Sequence, residues 1–271
     1  MIDLHTHHER CGHADGTLAD VVRWALAHGI AVLGLSDHAP RFADPLDHPL
    51  PGTQMARSQW DAYLAEGVAL RDAHRGRIDL RIGTEADYLP GTEDVYREAL
   101  ARPELDYVLG SVHEVGSWHV YKAETFDGVD ADEFHAGYWR LQQASATSGL
   151  FDVIAHLDAI RAKVPPPEDD HGPAIEATLD AIADAGVAVE VNGSGLRRDG
   201  EVFPRRALLE GLVRRDVPIT FGSDSHSRRQ LGAGWSEAVR TLADLGVSRL
   251  ATFRGRERAW VEIGSVVRGA T

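Results

Sequence analysis

The strongest constraint on this chain is a regular alternation. Short apolar runs lie over 2–4, 31–35, 80–83, 107–109, 152–155, 187–191 and 218–221. Amphipathic stretches separate them, over 18–27, 58–73, 92–101, 132–148, 173–185 and 205–215. A further helix over 236–245 precedes a last short strand near 249–253. Strands alternating with helices make βαβ units and a parallel sheet. Seven or eight such units in 271 residues fit a closed α/β barrel better than an open sheet. A doubly wound sheet usually carries a Gly-rich phosphate loop after its first strand. Here that strand runs into Asp3-Leu4-His5-Thr6-His7, and no Walker loop occurs. No repeat or low-complexity segment divides the chain, so one domain over 1–271 is expected. The irregular stretches 39–57, 114–129 and 163–172 read as lids or site walls rather than linkers.

Nearly every expected strand ends in an imidazole or a carboxylate. His5 and His7 follow the first, with His13 shortly after, and Asp37 and His38 follow the second. Glu85, His113 and His156 follow the third, fourth and fifth. Asn192 follows the sixth, and Asp224 and His226 the seventh. In a parallel barrel all these ends meet on one face, where active sites form. An extended His5-x-His7 also turns both rings to one side. A single histidine is more often solvated or hydrogen-bonded in a core than a ligand. Nine donors at successive strand ends are not explained that way.

The set His5, His7, His13, His38, Glu85, His113, His156, Asp224 and His226 is seven imidazoles and two carboxylates without a thiolate. It suits Zn, Mn or Fe rather than Mg or Ca. It exceeds what one ion needs, so two or three divalent ions are expected, with Glu85 or Asp224 as bridges. Ions about 3.5–4 Å apart can hold a hydroxide at neutral pH and clamp a phosphoryl group. His28, His48, His74, His119, His135 and His171 read as solvated, and His8 is ambiguous. Cys11 reads as a small buried thiol.

Composition narrows the partners. The formal charge is −14, which argues against non-specific nucleic-acid or anionic-membrane binding. One cysteine excludes an internal disulfide framework and favours a reducing compartment. No apolar run reaches a membrane span and the N-terminus lacks a signal-peptide core, so a cytoplasmic location is expected. Composition is silent on oligomeric state.

The motifs together resemble the polymerase-and-histidinol-phosphatase (PHP) family of metal-dependent phosphoesterases, and within it the histidinol-phosphate phosphatase branch. The resemblance runs from Asp3-Leu4-His5-Thr6-His7 to Gly222-Ser223-Asp224-Ser225-His226. Between them come Cys11-Gly12-His13-Ala14, Asp37-His38-Ala39-Pro40, Glu85-Ala86-Asp87-Tyr88, Gly110-Ser111-Val112-His113 and Asn192-Gly193-Ser194-Gly195-Leu196-Arg197. It implies a distorted (β/α)7 TIM-like barrel with a trinuclear centre at the C-terminal face of its strands. It implies that His5, His7, Glu85 and Asp224 hold one ion, Glu85, His113 and His156 a second, and His13, His38 and His226 a third. It implies hydrolysis of a small phosphate monoester, L-histidinol phosphate in that branch, by a metal-bound hydroxide in histidine biosynthesis. Arg161 and Arg197 fall where the branch places phosphate-binding basic residues. Asp37 and Asp158 would orient ligand imidazoles, and Tyr88 and Trp118 could wall the pocket.

The stretches Ala159-Ile160-Arg161-Ala162-Lys163-Val164 and Glu114-Val115-Gly116-Ser117-Trp118-His119-Val120 depart from the branch pattern, which bears on the leaving group. Another family member acting on a different monoester, a cyclic phosphodiester or a nucleotide would share every metal residue. A metal-dependent amidohydrolase also begins with His-x-His in a barrel. Such enzymes often carry a lysine after the fourth strand, where this chain has His113. A silent metal-binding module should have lost ligands, and all nine are present.

Overall fold

Strands covered on both faces can be apolar throughout, and the parallel strands here are. The computed structural model describes residues 1–122, 130–164 and 172–267. β1 (Ile2–Asp3), β2 (Val32–Leu35) and β3 (Asp79–Ile82) pair in parallel, in that order. Helices α1 (Leu18–Ala27) and α2 (Trp60–Ala73) connect them. α1 opens with a capping box in which the Thr17 hydroxyl accepts from the Asp20 N–H and the Asp20 carboxylate accepts from the Thr17 N–H.

A second parallel sheet runs β4–β5–β8–β9–β10. Its strands are β4 (Glu85–Asp87), β5 (Leu109–Ser111), β8 (Val153–Ile154), β9 (Ala188–Asn192) and β10 (Ile219–Gly222). α3 (Glu93–Leu100), α4 (Ala131–Thr147), α5 (Gly172–Ala185) and α7 (Arg206–Arg214) are its crossovers. Two small elements were not anticipated, the hairpin β6 (Glu114–Val115) and β7 (Trp118–His119) and the single-turn helix α6 (Ser194–Arg198).

The two sheets are stitched at two places. Leu4 N–H donates to Phe221 O at 2.9 Å, and Thr6 bridges Ser225 in parallel. On the other side His38 bridges Glu85, and Ala39 N–H donates to Glu85 O at 2.7 Å. Buried Asp3 reinforces the first seam by accepting from the Ser223 N–H and hydroxyl and from the Gly232 N–H.

Three expectations change. The run over 80–83 is two strands, β3 and β4, and Glu85 stands in the second rather than in a loop. After α8 (Trp235–Asp244), the last strand is β11 (Arg249–Arg254). It begins no further βα unit but pairs antiparallel with β12 (Glu257–Glu262), before α9 (Ile263–Val267). β11 is buried along its middle and Phe253 stacks on Tyr107, while β12 is mostly exposed. Finally, 123–129 of the expected 114–129 lid and 165–171 of the 163–172 loop, with His171, lie outside the described residues. Among the described residues no helix is long and apolar enough to cross a membrane.

Tyr107 fills the space between the sheets because two strand positions lack a side chain. A Cβ on Gly34 would lie 1.9 Å from the Tyr107 hydroxyl and 2.8 Å from Leu4 Cα. One on Gly83 would lie 2.4 Å from the Tyr107 ring. The hydroxyl donates to Leu4 O, tying β5 to β1. Gly34→Ala is therefore expected to destabilise the fold by about 1–3 kcal/mol, read as a lowered urea midpoint. An unchanged midpoint would show that the Tyr107 pocket yields freely.

Candidate metal centre

The centre is built around one buried carboxylate. Glu85 Oε2 lies 2.9 Å from His38 Nδ1, 3.3 Å from His5 Nε2 and 3.5 Å from His7 Nε2. Its Oε1 lies 3.0 Å from His156 Nε2 and 3.6 Å from His113 Nε2. Asp224 Oδ1 lies 3.3 Å from His7 Nε2 and 3.9 Å from His5 Nε2. His13 and His226 close the mouth, with their Nε2 atoms 2.9 Å apart. The His7 ring stacks on His226 at 4.1 Å. All nine expected donors therefore meet in one cluster, from both sheets.

Local backbone places them. His5 and His7 leave β1 with rings 4.9 Å apart. The turn to His13 passes a 3-10 helix (Glu9–Cys11) that ends on left-handed Gly12, against Gly52. His156 and Asp224 have φ of 27° and 52°, a region that residues with a Cβ rarely adopt. Such strain persists where surrounding contacts over-determine it, commonly at functional sites. Here Glu190 accepts from the His156 N–H at 3.0 Å, and the Ser194 hydroxyl holds Asp224 at 3.0 Å.

A second ring of acceptors engages the far nitrogens. Glu190 faces His5 Nδ1 at 2.8 Å, Asp37 faces His7 Nδ1 at 3.1 Å, and Asp87 faces His113 Nδ1 at 2.6 Å. A proton held on Nδ1 leaves the Nε2 lone pair for the centre. The buried Nε2 atoms of His5 and His7 and Oε2 of Glu85 have no hydrogen-bond partner among the described residues. Donor atoms of His5, His7 and Asp224, of His38, Glu85 and His113, and of His7, His38 and His226 lie in groups within 4.8 Å. Unsatisfied, convergent N and O donors fit divalent cations.

Electrostatics agree. Burial pushes Glu85 and Asp224 up, but the surrounding imidazoles outweigh it and hold both well below the carboxylate range. Burial opposes charge on His7, yet Asp224 and Asp37 carry it up to about 9. Burial and neighbouring rings lower His13 to about 4 and His226 to about 2. Burial and Asp37 push the Cys11 thiol up, so it stays protonated and donates to His8 O at 3.1 Å.

A cavity of about 320 Å³ opens onto this cluster. Its wall beyond the nine donors includes Arg41, Gln54, Asp87, His119, Tyr121 and Arg198. The four residues expected to contact substrate do not line it. Arg161 is spent on Asp158, Asp199 and the carbonyls of Glu201 and Val202. Arg197 turns back onto the carbonyls of Ser223 and Asp224. Tyr88 donates to Glu93 at 2.8 Å and packs on Phe151, and Trp118 packs edge-on against Phe134. Asp37 does orient an imidazole, but Asp158 binds Arg161 and the Arg205 N–H instead. His119, expected in solvent, stacks flat on His113 at 5.8 Å. His135 is buried, and His8 binds Asp37 at 2.6 Å. Sequence reading passed over Glu190, Asp87, Gln54, Arg41 and Arg198. A lone glutamate in the apolar run over 187–191 was the available signal for Glu190.

Residues 3–194 match the PHP domain. The chain belongs to the PHP family. A Deinococcus radiodurans relative, named probable histidinol-phosphatase, is 35% identical over 95% of this chain and 98% of its own. The histidinol-phosphatase of Bacillus subtilis is 27% identical over 85% of this chain and 95% of its own. The fold is shared with histidinol phosphate phosphatase from Lactococcus lactis, solved with Zn, L-histidinol and phosphate. The TM-score is 0.80 at 23% identity, covering 95% of this chain and 98% of that one.

The PHP cluster makes the metal-free protein sensitive to pH in both directions. His7, raised to about 9, contributes stability that is full below about 6.5 and fades as pH rises toward 9. His13 and His226, lowered, disfavour the fold as pH drops below about 6.5, when the unfolded chain gains protons. Chelated protein is expected to melt highest near pH 6.5 and lower toward 9 and 4. A melting temperature flat from pH 6 to 9 would contradict this.

Proposed function

We propose that this chain is a metal-dependent phosphomonoesterase that hydrolyses L-histidinol phosphate to L-histidinol and phosphate, in cytoplasmic histidine biosynthesis. The observation that carries the reaction class is the convergence of seven imidazoles on Glu85 and Asp224 beside an open cavity. The substrate reading is supported by near-end-to-end similarity to relatives named histidinol-phosphatases. The proposed frame is a closed, distorted (β/α)7 barrel. Its support is seven parallel strand positions, counting β3 and β4 as one, with hydrogen bonds at both seams.

In this reading His5, His7, Glu85 and Asp224 would hold one divalent ion, Glu85, His113 and His156 a second, and His13, His38 and His226 a third. Two or three ions of Zn, Mn or Fe suit these donors. When bound, they supply Lewis acidity and a nucleophile derived from water at neutral pH. Glu85 and Asp224 stay ionised and offset the cationic charge. Glu190, Asp37 and Asp87 keep the ligand rings in the required tautomer. Arg198, whose guanidinium lies 4.2 Å over the Tyr121 ring, replaces Arg161 and Arg197 as the proposed phosphate-binding arginine.

Protein purified without added metal or chelator is expected to carry two to three ions per chain and to release phosphate rapidly from histidinol phosphate. Full loading without release would redirect the reading to other phosphate esters. Loading below one ion, with no recovery in Zn, Mn or Fe, would overturn the metal centre. Asp224→Asn is expected to lose metal and at least a hundredfold in kcat/KM. Arg198→Ala is expected to raise KM about tenfold, whereas Arg161→Ala should lower the melting temperature and leave KM nearly unchanged. The opposite pattern would restore Arg161 as the phosphate ligand.

A further inference from the structure

The cavity wall facing away from the phosphate-binding side carries a matched pair of unused polar atoms. Gln54 is 4% exposed, and its Nε2 donates to Asp87 Oδ2 at 2.7 Å. Asp87 is an ionised acceptor whose Oδ1 already faces His113 Nδ1 at 2.6 Å. The amide nitrogen of Gln54 must therefore be the atom that meets Asp87, which sets the direction of the amide without ambiguity. The oxygen is left as a buried acceptor with no partner among the described residues. Beside it, Arg41 gives Nη1 and Nη2 to Glu114 at 3.2 and 2.7 Å, and Nη2 also lies 3.7 Å from Asp87 Oδ2. Arg41 Nε is left as a buried donor with no partner among the described residues. Both side chains line the cavity, and both are held rigid by carboxylates.

One orphaned acceptor and one orphaned donor call for a group that offers one N–H and one lone pair. A neutral azole ring is such a group, and a phenyl ring or an alkyl chain is not. We propose that Gln54 and Arg41 form the specificity-determining wall of the site and read the imidazole of the leaving alcohol. Gln54 Oε1 accepts its N–H, and Arg41 Nε donates to its second nitrogen. This assignment rests on the histidinol-phosphate reading and adds the residues that select the ring. Buried polar groups built for a partner discriminate strongly against analogues that leave them unpaired.

The test compares histidinol phosphate with phenylalaninol phosphate, in which a phenyl ring replaces the imidazole. Wild-type holoenzyme is expected to prefer the azole substrate at least tenfold in kcat/KM. Gln54→Leu, at unchanged metal content, is expected to bring the ratio below threefold, mainly through KM. A ratio that survives in Gln54→Leu, as it would if a water bridged the two atoms, overturns the assignment alone. Parallel loss on both substrates leaves the ratio intact and overturns it too, as a structural role. A wild type without azole preference overturns the histidinol-phosphate reading together with this one. If the leucine variant does not fold, Gln54→Met repeats the comparison. Product inhibition of wild type gives a check without mutation. L-histidinol should inhibit about tenfold more tightly than phenylalaninol, and equal inhibition overturns the proposal.

Discussion

The rest of the molecule is arranged so that Glu85 can stay ionised without water. A buried carboxylate alone would be neutralised or expelled, because desolvation costs several kcal/mol. Here five imidazoles lie within 3.6 Å of its oxygens, and the Ser111 hydroxyl donates to it. Those imidazoles are in turn held by further carboxylates, so charge alternates outward in shells. The seam between the two sheets runs through this same residue, since its carbonyl accepts from Ala39 and it bridges His38. Architecture and centre therefore share one residue.

The ligand set was readable because its logic is linear. Parallel strands deliver their C-terminal ends to one face, so an imidazole at each end becomes a cluster whatever the exact twist. The elements with strong amphipathic periods, such as α1, were likewise legible to the residue. What escaped depends on rotamers and on partners distant in sequence. Arg161 and Arg197 sit on the right loops, but nearby acceptors claim their guanidinium groups. Arg198, one residue further on, has the direction that Arg197 lacks. Glu190 was hidden because an apolar strand rarely buries a charge, and only His5, far away in the chain, explains it. The β11–β12 hairpin was missed because a strand alone does not reveal whether its partner is parallel.

Small residues give the centre its tolerance for crowding. Gly222 sits where a Cβ would lie 1.9 Å from Glu190 Oε1 and 2.3 Å from His5 Cβ. Backbone and carboxylate thus approach more closely than any side chain would permit. The same holds for Gly34 and Gly83 around Tyr107. Left-handed backbone at His156 and Asp224 costs of order 1–3 kcal/mol each. That cost is offset by hydrogen bonds from groups that also orient the ligands.

The seam between β1 and β10 has a consequence for assembly during synthesis. Its partners stand at the two ends of the catalytic frame, Leu4 with Phe221 and Asp3 with Ser223. During translation His5 and His7 emerge first, while Asp224 and His226 follow more than two hundred residues later. Contacts of such long range form late in folding, because the intervening loop must first be ordered. The nascent chain thus passes through a long interval in which a partial set of imidazoles is exposed and incomplete. The last strand to dock is also the one that completes the donor set, so ion selection is made by a nearly finished fold and not by the emerging peptide.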